Sequence, residues 1–156
     1  MYRHILVTLD SSGHSEQILA QLPPIVWKQS STVHLLSVYP PMRAVMEQQT
    51  HVYAHQLESQ ASIEALSYLD KVAIPLRERG LSVTTEVRFG DPVQIILDTA
   101  QISVADLIIM PVPWCRGDGH LMTAEVTTQV IRKSPVPVLV VRLEMRQRRR
   151  GERLWV

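Results

Sequence analysis

His4-Ile5-Leu6-Val7-Thr8-Leu9-Asp10-Ser11-Ser12-Gly13-His14-Ser15 stands near the start of the chain and decides how the rest is read. His4 to Leu9 is short, β-branched and apolar on both faces, the pattern of a strand covered on both sides. Asp10 to Ser15 then supply turn and helix-cap residues, and Ile18, Leu19 and Leu22 begin an apolar stripe at helical spacing.

The same alternation recurs along the chain. Pro23-Pro24 are expected to kink or interrupt the first helix, because neither ring nitrogen can donate a backbone bond. Thr32 to Val38 reads as a second buried strand, closed by Tyr39-Pro40-Pro41-Met42. Between about 48 and 79, Ala61, Ala65, Leu66, Leu69, Val72, Ala73 and Leu76 recur at spacings of three and four, one continuous helical face. Pro75 is expected to bend its last turn, and Arg79-Gly80 to end it. Leu81 to Val87 alternates like a strand nearer a sheet edge. Asp91-Pro92 is a helix start with an acidic cap, and Val93, Ile96, Leu97 and Ala100 carry its buried stripe. Ala105 to Met110 is the fourth strand, Thr123 to Lys133 the fourth helix and Pro137 to Val141 the fifth strand.

The order βαβαβαβαβ predicts an α/β fold: a single doubly wound domain with a parallel sheet and helices on both faces, spanning 1–141. In such sheets ligands bind beyond the carboxyl ends of the strands, here about 8–14, 38–42, 88–91 and 110–125.

Composition narrows the chemistry. One cysteine among 156 residues excludes an intramolecular disulfide framework and a four-cysteine metal site, and it fits a reducing cytoplasm, the expected location. Apolar runs of about six to eight residues fall far short of a membrane span, and nothing at the amino end reads as an export signal. Six glycines are few beside the roughly eleven that average usage would give, so a glycine-lined phosphate loop must draw on a small stock. The formal charge of +1 hides a division. From Arg142 to Val156, six arginines against Glu144 and Glu152 give +4, which leaves 1–141 at −3. An acidic body therefore carries a basic extension over 142–156.

Four features in order resemble the universal stress protein family: Ile5-Leu-Val-Thr-Leu-Asp10-Ser-Ser-Gly-His-Ser-Glu16, the Gly90-Asp91-Pro92 turn, Ala105-Asp106-Leu-Ile-Ile-Met110, and Ser134-Pro-Val-Pro-Val-Leu-Val-Val141. The resemblance covers about 1–141. It implies a five-stranded sheet of order 3-2-1-4-5, the adenine nucleotide alpha hydrolase-like arrangement, and a homodimer formed through the last strand, Val138, Leu139, Val140 and Val141. In members that bind ATP, a pattern G-x2-G-x9-G-[S/T] after the fourth strand holds the phosphates. Its four positions fall here on Pro111, Trp114, Ala124 and Glu125, and all four depart. Pro111 removes a donor and Trp114 is bulky. A left-handed backbone at Ala124 would cost about 1–2 kcal/mol. The Glu125 carboxylate, about 4 Å from a phosphate oxygen, would be repelled by roughly 4 kcal/mol at an effective dielectric of 20. Gly117 and Gly119 lie within this altered loop but off the pattern. The adenosine side is better kept: the resemblance places Thr8, Leu9, Asp10, Val38 and Met110 beside a nucleotide, ATP or AMP, if one binds. Without a phosphate grip, the expected role is that of a non-catalytic stress-response module acting through protein contacts, with no required cofactor.

Other constellations are weaker. Asp10 to Ser15 lacks the second glycine and aspartate of a pyrophosphatase loop, and a receiver domain would need an acceptor aspartate after the third strand, where Arg88-Phe89-Gly90 stands. Cys115 lies between Trp114 and Arg116, with Asp118 and His120 nearby, yet no motif fixes their geometry. His51 and His55 share a helix face at a spacing that suits two metal ligands, but a third ligand is missing and a solvated face is expected. His4 and His34 sit within strands and are expected to be structural. The arginine-rich tail could touch phosphates, but no aromatic stacking set accompanies it, so nucleic acid is not the expected partner. Leu154-Trp155-Val156 suits a strap across a dimer partner better.

Overall fold

The computed structural model describes residues 2–10, 17–21, 30–41, 51–113 and 123–143. Its elements run β1 (His4–Thr8), α1 (Gln17–Gln21), β2 (Thr32–Tyr39), α2 (His51–Glu78), β3 (Ser82–Phe89), α3 (Pro92–Ile102), β4 (Leu107–Pro113), α4 (Ala124–Lys133) and β5 (Val138–Leu143). The strands form one five-stranded sheet in the order β3-β2-β1-β4-β5, parallel throughout.

Because side chains alternate along a strand, each strand feeds two cores. Ile5, Val7, Val33, Leu35, Leu107 and Ile109 point to one face, where Ile18 and Leu19 of α1 and Leu69, Val72, Ala73 and Leu76 of α2 cover them. Leu6, Leu36, Val38, Ile108 and Met110 point to the other, under Val93, Ile96 and Ala100 of α3 and Val130 of α4. That double covering explains why the strands read as near-continuous apolar runs.

Local chemistry sets the boundaries. Asp91 accepts from the Gln94 amide at 2.8 Å, and Pro92 occupies the first helical position, so α3 begins as expected. The turn before it needs Gly90, whose φ of +148° lies where an L side chain is strained and whose added Cβ would meet Ile95 at 3.0 Å. At the amino end of the sheet, Asp106 accepts from the backbone amides of Arg3 and His4 at 2.8 and 3.0 Å, fastening β1 to β4. β3 is an edge strand, as its alternation predicts.

α2 runs through Pro75 to Glu78 and stops before Gly80, as expected, with Val72, Ala73 and Leu76 holding the same apolar face on both sides of the missing amide. Two strands differ from the sequence expectation. β4 runs on to Pro113, taking Pro111 into the sheet as a buried residue opposite Val141. Pro111 is tolerated because the pairing of β1 with β4 stops at Val7 and Ile109, leaving β4 bonded only to β5. β5 likewise extends to Leu143, two residues beyond the expected strand. Among the described residues no helix is long and apolar enough to cross a membrane. The cap Ser11 to Ser15, Pro23-Pro24 and the extension from Glu144 onward lie outside the described residues.

Candidate functional site

The carboxyl ends of β1, β2 and β4 lie side by side in the sheet, and α4 packs on β4 and β5. Thr8, Val38 and Met110 share one face of the sheet by strand parity, and Val38 and Met110 belong to one packed cluster with Val126 of α4. Thr8 is buried, and its hydroxyl lies 3.5 Å from the Ile109 carbonyl. Asp10 is half-buried just past β1 and has an interaction of its own. Leu9 departs from its expected place. Its side chain turns to the opposite core, while its amide donates to Leu36 at 2.8 Å and its carbonyl accepts from the Ser37 hydroxyl at 2.8 Å. Parity separates its side chain from Thr8 and Met110, so only the second lone pair of its carbonyl is left to face a ligand.

The start of α4 is built from its own residues. Thr123 is extended, with φ −80° and ψ 163°, and its hydroxyl accepts from the Val126 amide at 3.3 Å. That is an N-cap, and it occupies one of the amides that a helix start otherwise turns toward an anion. Ala124 is the first helical residue. Among the described residues Val104 alone, glycines apart, has a positive φ. The left-handed penalty anticipated at Ala124 therefore does not arise, because the helix begins one residue before the Glu125 position rather than after it. Glu125 lies exposed in the first turn, where its carboxylate interacts favourably with the positive helix end, and Gln129 Nε2 donates to its Oε1 at 3.4 Å. The partial charge that would attract a phosphate thus faces a carboxylate of the same chain.

Of the remaining altered-loop residues, Pro111 is a strand residue and no longer part of the loop, and Trp114 and Gly117 lie outside the described residues. So do Cys115, Arg116 and His120, and the side chains of His51 and His55. Among the described residues no group of three or more His, Cys, Asp or Glu could hold a metal. Val138, Leu139 and Val141 are half-buried and Val140 is exposed, on a strand that ends the sheet.

Two features of this face were missed in the sequence. One is Val126, legible only as the first apolar residue of the α4 stripe that Val130 continues. The other is a polar chain near the β3 edge: His34 Nε2 lies 2.8 Å from Glu86 Oε2 and Nδ1 lies 2.7 Å from the Thr84 hydroxyl. Arg88 continues it, 3.8 Å from Glu86 and donating to the Thr99 hydroxyl of α3 at 3.2 Å. The signal was the polar run Thr84, Glu86, Arg88 at strand period, which puts three polar side chains on the face that His34 shares across the register.

Known proteins of this kind exist. The profile of the Universal stress protein family matches residues 1–142. The chain is 27% identical over 152 residues to the Universal stress protein Sll1388 of Synechocystis sp., covering 90% of this chain and 97% of that one. The solved structure of the hypothetical protein MJ0577 superposes with a TM-score of 0.75 at 27% identity, over 93% of this chain and 99% of that one. The universal stress protein from Archaeoglobus fulgidus, solved in complex with dAMP, shares the fold with a TM-score of 0.53 at 18% identity, over 89% and 97% of the two chains.

Proposed function

Since the chain belongs to the universal stress protein family, we propose that it serves as a non-catalytic regulatory module of the cytoplasm that does not grip the phosphates of ATP. The observation that carries the reading is the start of α4. Thr123 caps the helix and Glu125 sets a carboxylate in its first turn, so an approaching triphosphate meets repulsion where a hydroxyl and free amides would be needed. Output then passes through protein contacts. The first of these is a homodimer through β5: the strand ends the sheet, its residues 138–141 are apolar, and Val140 is 37% exposed. An apolar edge of this kind gains by pairing with a second copy.

A second reading rests on the cluster of Val38, Met110 and Val126 at the strand ends, which could flank an adenine ring. In it an adenine nucleotide is held through Thr8, Asp10, Val38 and Met110, as a relative of this fold holds dAMP, with its phosphates directed away from Glu125. A thermal-shift series separates the two. On the first reading, Mg²⁺ with ATP, AMP or dAMP at about 1 mM leaves the melting temperature unchanged; a rise of several degrees with any of them would indicate binding well below that concentration and favour the second.

A further inference from the structure

α2 is longer than the sheet that it covers. Its 28 residues extend about 42 Å, whereas the eight-residue strands β2 and β3 span roughly 26 Å. Among the described side chains of α2, the first buried one is Ala65; positions 56–64 are all exposed or half-buried. A helical segment of this length with no fully buried side chain is marginal in water, and packing against another surface is what ordinarily holds it.

The outer face of α2 has a self-complementary pattern. Ile63 and Ile74, 69% and 51% exposed, are eleven residues apart, three turns along one stripe. Glu64 and Lys71 are seven apart, two turns along its flank, and neither has an ion pair among the described residues. Asp70 on the stripe is already engaged by Arg77 at 3.6 Å and by the Thr85 hydroxyl at 3.1 Å.

We infer that the outer face of α2 docks on the α2 of a second copy of this chain, antiparallel, in the register that sets Ile63 against the partner's Ile74. The same register sets Glu64 beside the partner's Lys71, because in an antiparallel pair a flank meets its own counterpart. Two-fold symmetry then repeats both contacts, giving two isoleucine pairs and two ion pairs from four residues. The arrangement also lays residues 56–64 of each helix along the second half of its partner, the half anchored to the sheet through Leu69, Val72, Ala73 and Leu76. A parallel pairing in register would set this flank beside the partner's opposite flank and leave Glu64 and Lys71 without each other, which selects the antiparallel one. This surface is separate from the β5 edge, which lies at the far side of the sheet from β3 and α2.

Sedimentation velocity on the full chain tests it, at about 0.5 mM protein to reveal a sub-millimolar contact and about 50 mM salt to limit screening. Glu64→Lys and Lys71→Glu, each alone, should reduce the assembled mass, since each sets like charges together twice, and the double variant should restore it. If β5 does not pair, each reversal should leave the monomer; if β5 also pairs, each should leave the β5 dimer. Both sites are exposed, and far-ultraviolet circular dichroism verifies that the variants fold. A wild-type mass that either reversal leaves unchanged, or a double variant that stays reduced, overturns the inference.

Discussion

Replacing Val104 with glycine should stabilise the protein. α3 ends in a Schellman arrangement: the Ala105 amide donates to Ala100 at 2.8 Å and the Val104 amide to Gln101 at 3.2 Å. This turn needs a left-handed residue, normally glycine, yet a β-branched valine sits there with φ of 51°. The strain is about 1–2 kcal/mol. Glycine removes it but gains freedom in the unfolded chain, which returns about 0.4–1 kcal/mol. Little packing is lost, because Val104 is 72% exposed. The net expectation for Val104→Gly is a gain of about 0.5–1 kcal/mol, or roughly 1–4 °C in melting temperature for a chain of this size. Val104→Ala keeps the Cβ and most of the strain, so it should move stability by no more than a few tenths of a kcal/mol. Urea titrations of the three proteins give the comparison. A glycine variant less stable than wild type, or an alanine variant equal to the glycine one, would refute the strain argument.

Other substitutions probe the frame around the candidate site. Asp106→Ala removes the acceptor for two main-chain amides where β1 meets β4, and chemical denaturation should record a loss of about 1–3 kcal/mol. Thr123→Ala deletes the α4 cap and should cost about 1 kcal/mol in the same measurement, whereas Thr123→Ser should recover nearly all of it. A double-mutant cycle on His34 and Glu86, at 19% and 39% side-chain exposure, should give a coupling below about 1 kcal/mol that shrinks with added salt.

Helix placement and the parallel α/β layout were legible because alternation and caps act locally, whereas the strand order followed from the family resemblance. Asp91-Pro92 forms the expected cap, and the two-sided apolar strands lie where double covering requires them. Pro111 misled the reading: it entered β4 because its neighbour on one side had already ended. Pro75 stays within α2, whose span the apolar stripe made legible, because the flanking apolar face is held by the sheet. At the candidate site, Thr8, Val38 and Met110 share a face by parity, which also carries Leu9 away from it. Whether the backbone at Ala124 is left-handed was open in the sequence, because it depends on where α4 starts, and the Thr123 cap decides that. The partners of His34 lie some fifty residues away on β3, beyond any local spacing rule.

The central claim is that the start of α4 rejects a phosphate. Isothermal titration of the wild-type chain with ATP and Mg²⁺ at neutral pH addresses it most directly. The account predicts no saturable heat up to about 1 mM ATP, corresponding to a binding free energy weaker than about −4 kcal/mol. A one-site isotherm with a dissociation constant below roughly 100 μM, and tighter than that of adenosine under the same conditions, would contradict it, since the repulsion assigned to Glu125 opposes any gain from the phosphates.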